Sequence, residues 1–262
     1  MIEIAISLAI IGIALVAIIG VLPLGMNVQR DNREQTIINQ DASVFIEGIR
    51  GGARGLDDLT NYVYTITNYW TQFPQNAAPK SGQNSYDYGV ATVAPGYFTT
   101  AGTFLWPSLL PLHSGTNIIG LLSVPEFTDL AGNPTNNLFS GGYSNHIVAY
   151  VHSLSGPASE KPPQGNDILR DNSFSYRLFC VNAPVVTDTN VFNADPANQV
   201  YAKQTDANLH DLRLTFLFPQ RPNGDVGRGR ITFRTLVAGQ IVRDTNNNSL
   251  YFYQSQTFTN AL

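Results

Sequence analysis

The first 26 residues contain the feature that most constrains this chain, an uninterrupted apolar run. Residues Ile4–Met26 read IAISLAIIGIALVAIIGVLPLGM, which is 23 positions without a charged side chain. About 20 such residues in a helix suffice to cross the hydrocarbon core of a bilayer. A removable signal peptide fits poorly, because it would carry a basic segment before the run and a small-x-small cleavage site after it. A buried core helix fits poorly too, since core helices usually show a polar stripe. The run therefore predicts a membrane-spanning helix.

Glu3 is the charged residue that adjoins this run. A carboxylate placed deep in lipid costs about 2.5–3.5 kcal/mol on insertion scales. Two arrangements avoid that cost. Glu3 can lie at the level of the lipid headgroups, or it can meet a positive partner when subunits pack together. The N-terminal ammonium of a neighbouring copy of the chain is one such partner.

This N-terminal segment resembles that of type IV pilins and type II secretion pseudopilins. One acidic residue, Glu3, is followed by an apolar run that contains Gly12, Gly20 and Pro23. In that family, a prepilin peptidase removes a short basic leader and the new N-terminal residue, here Met1, is methylated. A glutamate at the fifth mature position pairs with the N-terminal amine of an adjacent subunit. Here the glutamate is third, so either two residues precede Met1 in the mature chain or cleavage occurs elsewhere.

The resemblance implies a structural role without a cofactor. The subunit would be held in the bacterial inner membrane, extracted by pilus assembly machinery and built into an extracellular, cell-surface filament. It would form a homopolymer through the N-terminal helices. Gly20, Pro23 and Gly25 weaken the end of the helix, since proline removes one hydrogen bond. In assembled pili such a segment can melt into an extended stretch, and the alternative is a gentle kink.

Two other functions remain open on the sequence. The first is a pseudopilin that forms a short periplasmic piston in a type II secretion system. The second is a single-pass anchored protein whose head binds a ligand. Gly12, Gly20 and Glu3 favour helix packing over a plain anchor.

The sequence predicts a helix of about 50 residues on a large antiparallel β-rich head, an α+β fold. Residues 1–26 form the transmembrane or filament-core part, residues 27–55 an amphipathic continuation packed on the head, and residues 56–262 the head itself. Ile38, Ala42, Phe45 and Ile49 recur at spacings of three and four, which indicates one apolar stripe. Such a helix would be ~75 Å long.

The head reads mainly as strands. A short helix is expected from Asp57 to Ile66, and residues 74–134 are rich in loop signals. The apolar alternation then predicts strands at His146–Leu154, Phe174–Asn182, His210–Phe218, Arg230–Val237, Gln240–Arg243 and Leu250–Gln254. The segment Pro219–Gly229 contains Asn223-Gly224 and predicts a hairpin with a long loop.

Chemical motifs are sparse in the head, and the chain is not expected to be an enzyme. The four histidines lack zinc-site spacing, and no phosphate-binding glycine loop is present. Cys180, the only cysteine, lies in an apolar strand and is expected to be a buried small side chain. The net charge of −4 and the lack of a basic run leave nucleic-acid binding without an electrostatic basis.

One metal site is worth stating as a candidate. Asp244, Asn246 and Asn248 occupy alternate positions, as the first ligands of a calcium loop do. The glycine and the distal glutamate of such a loop are missing. Turns rich in Asn and Asp also form for backbone reasons alone.

Overall fold

The computed structural model describes residues 2–53, 56–87, 97–98, 104–105, 115–135, 141–155, 174–185, 200–201, 204–205, 207–221, 224–244 and 250–257. Its helices are α1 (Ile2–Arg50), a short 3-10 helix (Asp57–Asn61) and α2 (Gly115–Leu122). Its strands are β1 (Val63–Gln72), β2 (Lys80–Asp87), β3 (Tyr97–Phe98), β4 (Phe104–Leu105), β5 (Phe127–Thr128), β6 (Tyr143–His152), β7 (Ser175–Pro184), β8 (Leu209–Gln220), β9 (Val226–Ala238), β10 (Gln240–Arg243) and β11 (Tyr251–Gln254).

The strands form one large twisted sheet and one small ribbon. The large sheet has the order β4-β3-β2-β1-β6-β7-β8-β9, and β5 adds to one end of β6. Every described pair in it is antiparallel. Strands β10 and β11 pair with each other. The predicted α+β class, a long helix packed on an antiparallel head, is confirmed.

The C-terminal part of α1 supplies one side of the core. Ile38, Ala42, Phe45 and Ile49 are each 1% exposed or less, which confirms the predicted stripe. They pack in one cluster with residues of α2, the inner face of the sheet and β11. The helix ends at Arg50. Gly52 then adopts a left-handed conformation (φ 56°), and an added Cβ there would lie 2.1 Å from the Tyr253 carbonyl oxygen.

Two local predictions are wrong, the helix from Asp57 to Ile66 and the long hairpin loop. The short helix expected from Asp57 to Ile66 stops at Asn61, and β1 begins at Val63. Leu59, Val63 and Ile66 are buried as expected, but β-branched and aromatic residues continue after them and favour a strand. The loop-rich segment 74–134 contains β2 and α2 among its described residues, and residues 88–96, 99–103 and 106–114 of it lie outside them. The hairpin loop is short, because β8 runs to Gln220 and β9 begins at Val226.

Candidate membrane and assembly surface on the N-terminal helix

The first two thirds of α1 stand free of the head. All described side chains from Ile2 to Arg33 are exposed, and full burial begins at Ile37. Thirteen large apolar side chains between Ile2 and Leu22 are each 53% to 77% exposed. An 18-residue stretch of this helix is long and apolar enough to cross a membrane, and none of it is buried. A core helix is therefore excluded, and a membrane span or a signal sequence fits.

Exposure of this surface to water would be costly. Burial of one large apolar side chain is worth about 1.5–3 kcal/mol. Thirteen such side chains thus represent about 20–40 kcal/mol. A surface of this size needs an apolar environment, which lipid or other apolar helices can supply.

Glu3 lies in the first turn of α1 at the far end of this surface. Its backbone oxygen accepts a hydrogen bond from the Ser7 hydroxyl at 2.8 Å. Gly12 and Gly20 lie along the same exposed rod, and a Cβ added to either would meet nothing within 4 Å. Their small size therefore has no packing reason among the described residues of this subunit. Met1 lies outside the described residues.

Pro23 does not interrupt the helix, which runs through it to Arg50. Because proline has no N–H, the carbonyl of Ile19 loses its usual partner in the helix. Gly25 follows within the same turn, and an added Cβ there would also meet nothing. The small glycine leaves a shallow apolar groove along one helix face, lined by Ala17, Ile18, Val21, Leu22, Gly25, Met26 and Gln29. Such a groove is the kind of surface into which side chains of another helix can insert.

A polar segment separates the apolar rod from the head. Arg30 and Glu34 form an ion pair at 3.0 Å across one turn. This segment faces the β8–β9 hairpin across a groove that is rich in both signs of charge. The charged side chains that line the groove are Arg30, Asp31, Glu34, Arg221, Arg228 and Arg230.

Asp41 fixes α1 to the sheet. Its side chain is fully buried, and both carboxylate oxygens accept hydrogen bonds from the far side of the core. Oδ2 accepts from the Leu154 N–H at 3.0 Å and the Tyr176 hydroxyl at 2.9 Å. Oδ1 accepts from the Ser155 N–H at 3.0 Å and the Ser155 hydroxyl at 2.6 Å. Burial raises the pKa of Asp41, although these four hydrogen bonds oppose the effect.

Sequence reasoning missed the role of Asp41. It lies three residues after Ile38 and just before Ala42, within the predicted apolar stripe, and a lone carboxylate there was the available signal. Its partners are more than 110 residues away in the chain. They could not be identified without the strand order. Asp41 therefore links α1 to the loop after β6 and to β7 near the point where the helix leaves the head.

The predicted calcium candidate lies only partly within the described residues. Of the calcium candidates, Asn246 and Asn248 lie outside the described residues, and the Asp244 N–H donates to the Leu250 carbonyl at 2.9 Å. No group of three or more His, Cys, Asp or Glu side chains among the described residues could hold a metal ion. Cys180 is 2% exposed, as predicted, and burial raises its pKa.

The fold and the exposed helix together define the class of this molecule: an α+β head on a free apolar helix long enough to cross a membrane. Comparison with protein-family models, with curated proteins and with solved structures finds no match for this chain. Function must therefore be argued from the helix and the head themselves.

Proposed function

We propose that this protein is the structural subunit of a type IV pilus-like filament and that it polymerises through α1. The observation that carries the proposal is the free apolar rod, which is exposed from Ile2 to beyond Leu22. Residues 2–26 span about 37 Å along the helix axis, enough to cross the ~30 Å hydrocarbon core. The same surface would be buried again among neighbouring helices in a filament.

Features that a plain anchor does not need support this proposal. Gly12 and Gly20 leave room for close approach of another helix, although nothing in the subunit requires it. Contacts of one helix against a different face of the next copy are heterologous and do not close, so they produce fibres. Glu3 would then pair with the N-terminal amine of a neighbour, because a buried carboxylate without a partner is strongly unfavourable.

In this proposal the subunit is first a membrane protein and then part of a filament. It first resides in the bacterial inner membrane, where a prepilin peptidase has produced its terminus and methylated it. Assembly machinery then extracts it into a filament at the cell surface. The hydrogen bonds of Asp41 would transmit the extracting force between rod and head, since they join α1 to the loop after β6 and to β7.

The test compares Glu3→Ala with a matched control, Glu47→Ala. Glu47 lies on the same helix, its side chain is 75% exposed, and it pairs only with nearby Arg50 in the described structure. We expect both variants to enter the membrane equally. Glu3→Ala should reduce the number and length of filaments in sheared cell-surface material viewed by electron microscopy, and Glu47→Ala should not.

Three results would each count against a different part of the proposal. Normal filaments from Glu3→Ala would remove the pairing role of Glu3 and leave the filament intact. Recovery of the chain only as detergent-extracted monomers, with no fibres that contain it, would refute the filament and favour a single-pass anchored protein. Short fibres that remain in the periplasm would instead indicate a secretion pseudopilin.

A further inference from the structure

A second site lies in the head, in a cavity of about 280 Å³ between the inner face of the sheet and the segment after α2. This volume is close to the lower end of the range of about 300–1,000 Å³ for small-molecule sites. Leu130 at its rim is 61% exposed. Its lining includes Asn68, Trp70, Asn84, Tyr143, Asn145 and Arg243.

The register of three strands creates this cavity. On β1 the inner face reads Ile66, Asn68, Trp70, so it changes from apolar to polar along the strand. Asn68 pairs with Asn84 of β2, and Trp70 pairs with Asn145 of β6. Three amide side chains thus converge on the core side of adjacent strands, where apolar residues would normally pack.

One of these amides, that of Asn68, has an oxygen without a hydrogen-bond partner among the described residues. Asn145 Nδ2 donates to the Pro125 carbonyl at 3.1 Å, so its Oδ1 is the atom that accepts Asn68 Nδ2, also at 3.1 Å. These two hydrogen bonds assign the nitrogen and the oxygen of the Asn68 amide, so its Oδ1 is on the side away from Asn145. Asn68 Oδ1 is buried and has no hydrogen-bond partner among the described residues. Protein atoms cover this oxygen in the described structure, so a ligand hydroxyl or N–H reaches it only after the Asn68 side chain rotates toward the cavity.

The aromatic side chains add an apolar platform. Trp70 and Tyr143 meet edge to face with ring centroids 5.9 Å apart. The Trp70 indole N–H donates to Asn84 Oδ1 at 3.4 Å, which places the ring beside the amides. Aromatic rings next to amide groups suit a ligand that has both C–H faces and hydroxyl edges.

A single charged side chain lies on the described lining of the cavity. Arg243 is the charged residue in the described lining, and its guanidinium donates to the Ala131 carbonyl. Burial raises the pKa of Tyr251, and in addition Arg243 lowers it while Asp129 raises it. Because the Arg243 guanidinium is already hydrogen-bonded to the Ala131 carbonyl, we choose a ligand without net charge, and an anionic sugar is the alternative that the test must exclude.

We propose that this cavity binds one ring of a neutral sugar. The amides of Asn68 and Asn84 would bind its hydroxyl groups, Asn145 would hold the Asn68 amide in place, and the Trp70–Tyr143 pair would contact its C–H face. A sugar hydroxyl donates to Asn68 Oδ1. The proposal is independent of filament formation, because every contact lies within one subunit.

The test uses the full chain in a zwitterionic detergent without a sugar headgroup. Trp70 and Trp106 are the two tryptophans of the chain, so a Trp106→Phe background makes Trp70 the only indole reporter. Glucose, galactose, mannose and N-acetylglucosamine are titrated, followed by fluorescence and calorimetry. We expect at least one of them to change the Trp70 emission saturably, with a dissociation constant in the millimolar range.

Two variants and a matched control locate the binding site. Asn68→Ala removes the orphan acceptor, and Ala131→Phe narrows the mouth at an exposed position without a change in the core. Each should weaken binding by about tenfold or more. The control is Tyr69→Ala, which alters the next residue of β1, 43% exposed, and should bind as the parent does. Thermal unfolding verifies that each variant is folded.

Three outcomes would overturn the proposal. None of the four sugars binds at concentrations near their solubility. Alternatively, binding survives both Asn68→Ala and Ala131→Phe, so the ligand lies elsewhere. Finally, glucuronate binds and the neutral sugars do not, which would make the site one for an anion. If Asn68→Ala fails to fold, Ala131→Phe decides the matter on its own.

Discussion

The Asp41 junction gives the most quantitative prediction for the stability of the head. Asp41→Ala would leave the fully buried Tyr176 hydroxyl and the N–H groups of Leu154 and Ser155 without their acceptor. A buried donor left without a partner costs about 1–3 kcal/mol. The variant also no longer buries a carboxylate, which offsets part of the loss. We expect a net reduction in the free energy of unfolding of about 3–5 kcal/mol.

Asp41→Asn separates the hydrogen bonds from the loss of volume. Each carboxylate oxygen accepts one backbone N–H, Oδ2 from Leu154 and Oδ1 from Ser155. Whichever oxygen becomes the amide nitrogen, one backbone donor faces another donor. The hydroxyls of Ser155 and Tyr176 can rotate and accept instead. One orphaned donor predicts a loss of about 1–3 kcal/mol, less than for Asp41→Ala.

The assay is urea unfolding of the full chain in detergent, followed by near-ultraviolet circular dichroism. The control is Ser43→Ala, two residues along the same helix, where an exposed hydroxyl donates to the Asn39 carbonyl. A cycle with Tyr176→Phe should give a coupling of about 0.5–3 kcal/mol with Asp41. The reasoning is refuted if Asp41→Ala unfolds within about 0.5 kcal/mol of the parent, as a surface change would, or if Asp41→Asn is the more damaging variant.

Two further predictions concern the head. His210 is 4% exposed, and burial lowers its pKa from 6.5 to about 4. The buried neutral imidazole therefore contributes its full stability above pH 6.5, the pKa of the unfolded chain. This contribution, about 3 kcal/mol, is lost as the pH falls through 4. The urea midpoint should therefore fall more between pH 7 and pH 4 in the parent than in His210→Phe, and equal slopes would contradict this. Gly82→Ala would place a Cβ 2.4 Å from the Trp70 ring and should cost about 1–3 kcal/mol in urea unfolding, with a shift in Trp70 emission. Gly12→Ala, which meets no neighbour, is its control and should leave the head unchanged.

Local patterns determined the long helix and most of the later strands. The apolar stripe Ile38–Ile49 could be predicted from the sequence because a helix repeats every 3.6 residues and one of its faces is buried. The predicted strand His210–Phe218 lies within β8, and Arg230–Val237 lies within β9, because their alternation matches a sheet with one face on the core. The exposed rod also follows from composition, since no polar stripe marks a face for the solvent.

Local patterns were ambiguous where two periods fit the same residues. Leu59, Val63 and Ile66 match a helical spacing, and yet Val63 and Ile66 lie in β1. Pairing with β6 on one side and β2 on the other favours the strand over the helix for these residues. Strand β2, which reads KSGQNSYD, has almost no apolar residues of its own, and its position follows from its partner β1.

The sequence by itself determined a long apolar helix, because more than 20 consecutive residues carry no charge and favour an apolar environment over water. Only the tertiary structure decided which hydrogen-bond partners the buried polar residues of the head have. Asp41 meets donors from Leu154 and Tyr176, and Asn68 meets Asn145, across 77 to 135 residues of chain. Strand order and register set these encounters, and both are global properties because each strand is positioned by pairing with neighbours that are distant in sequence.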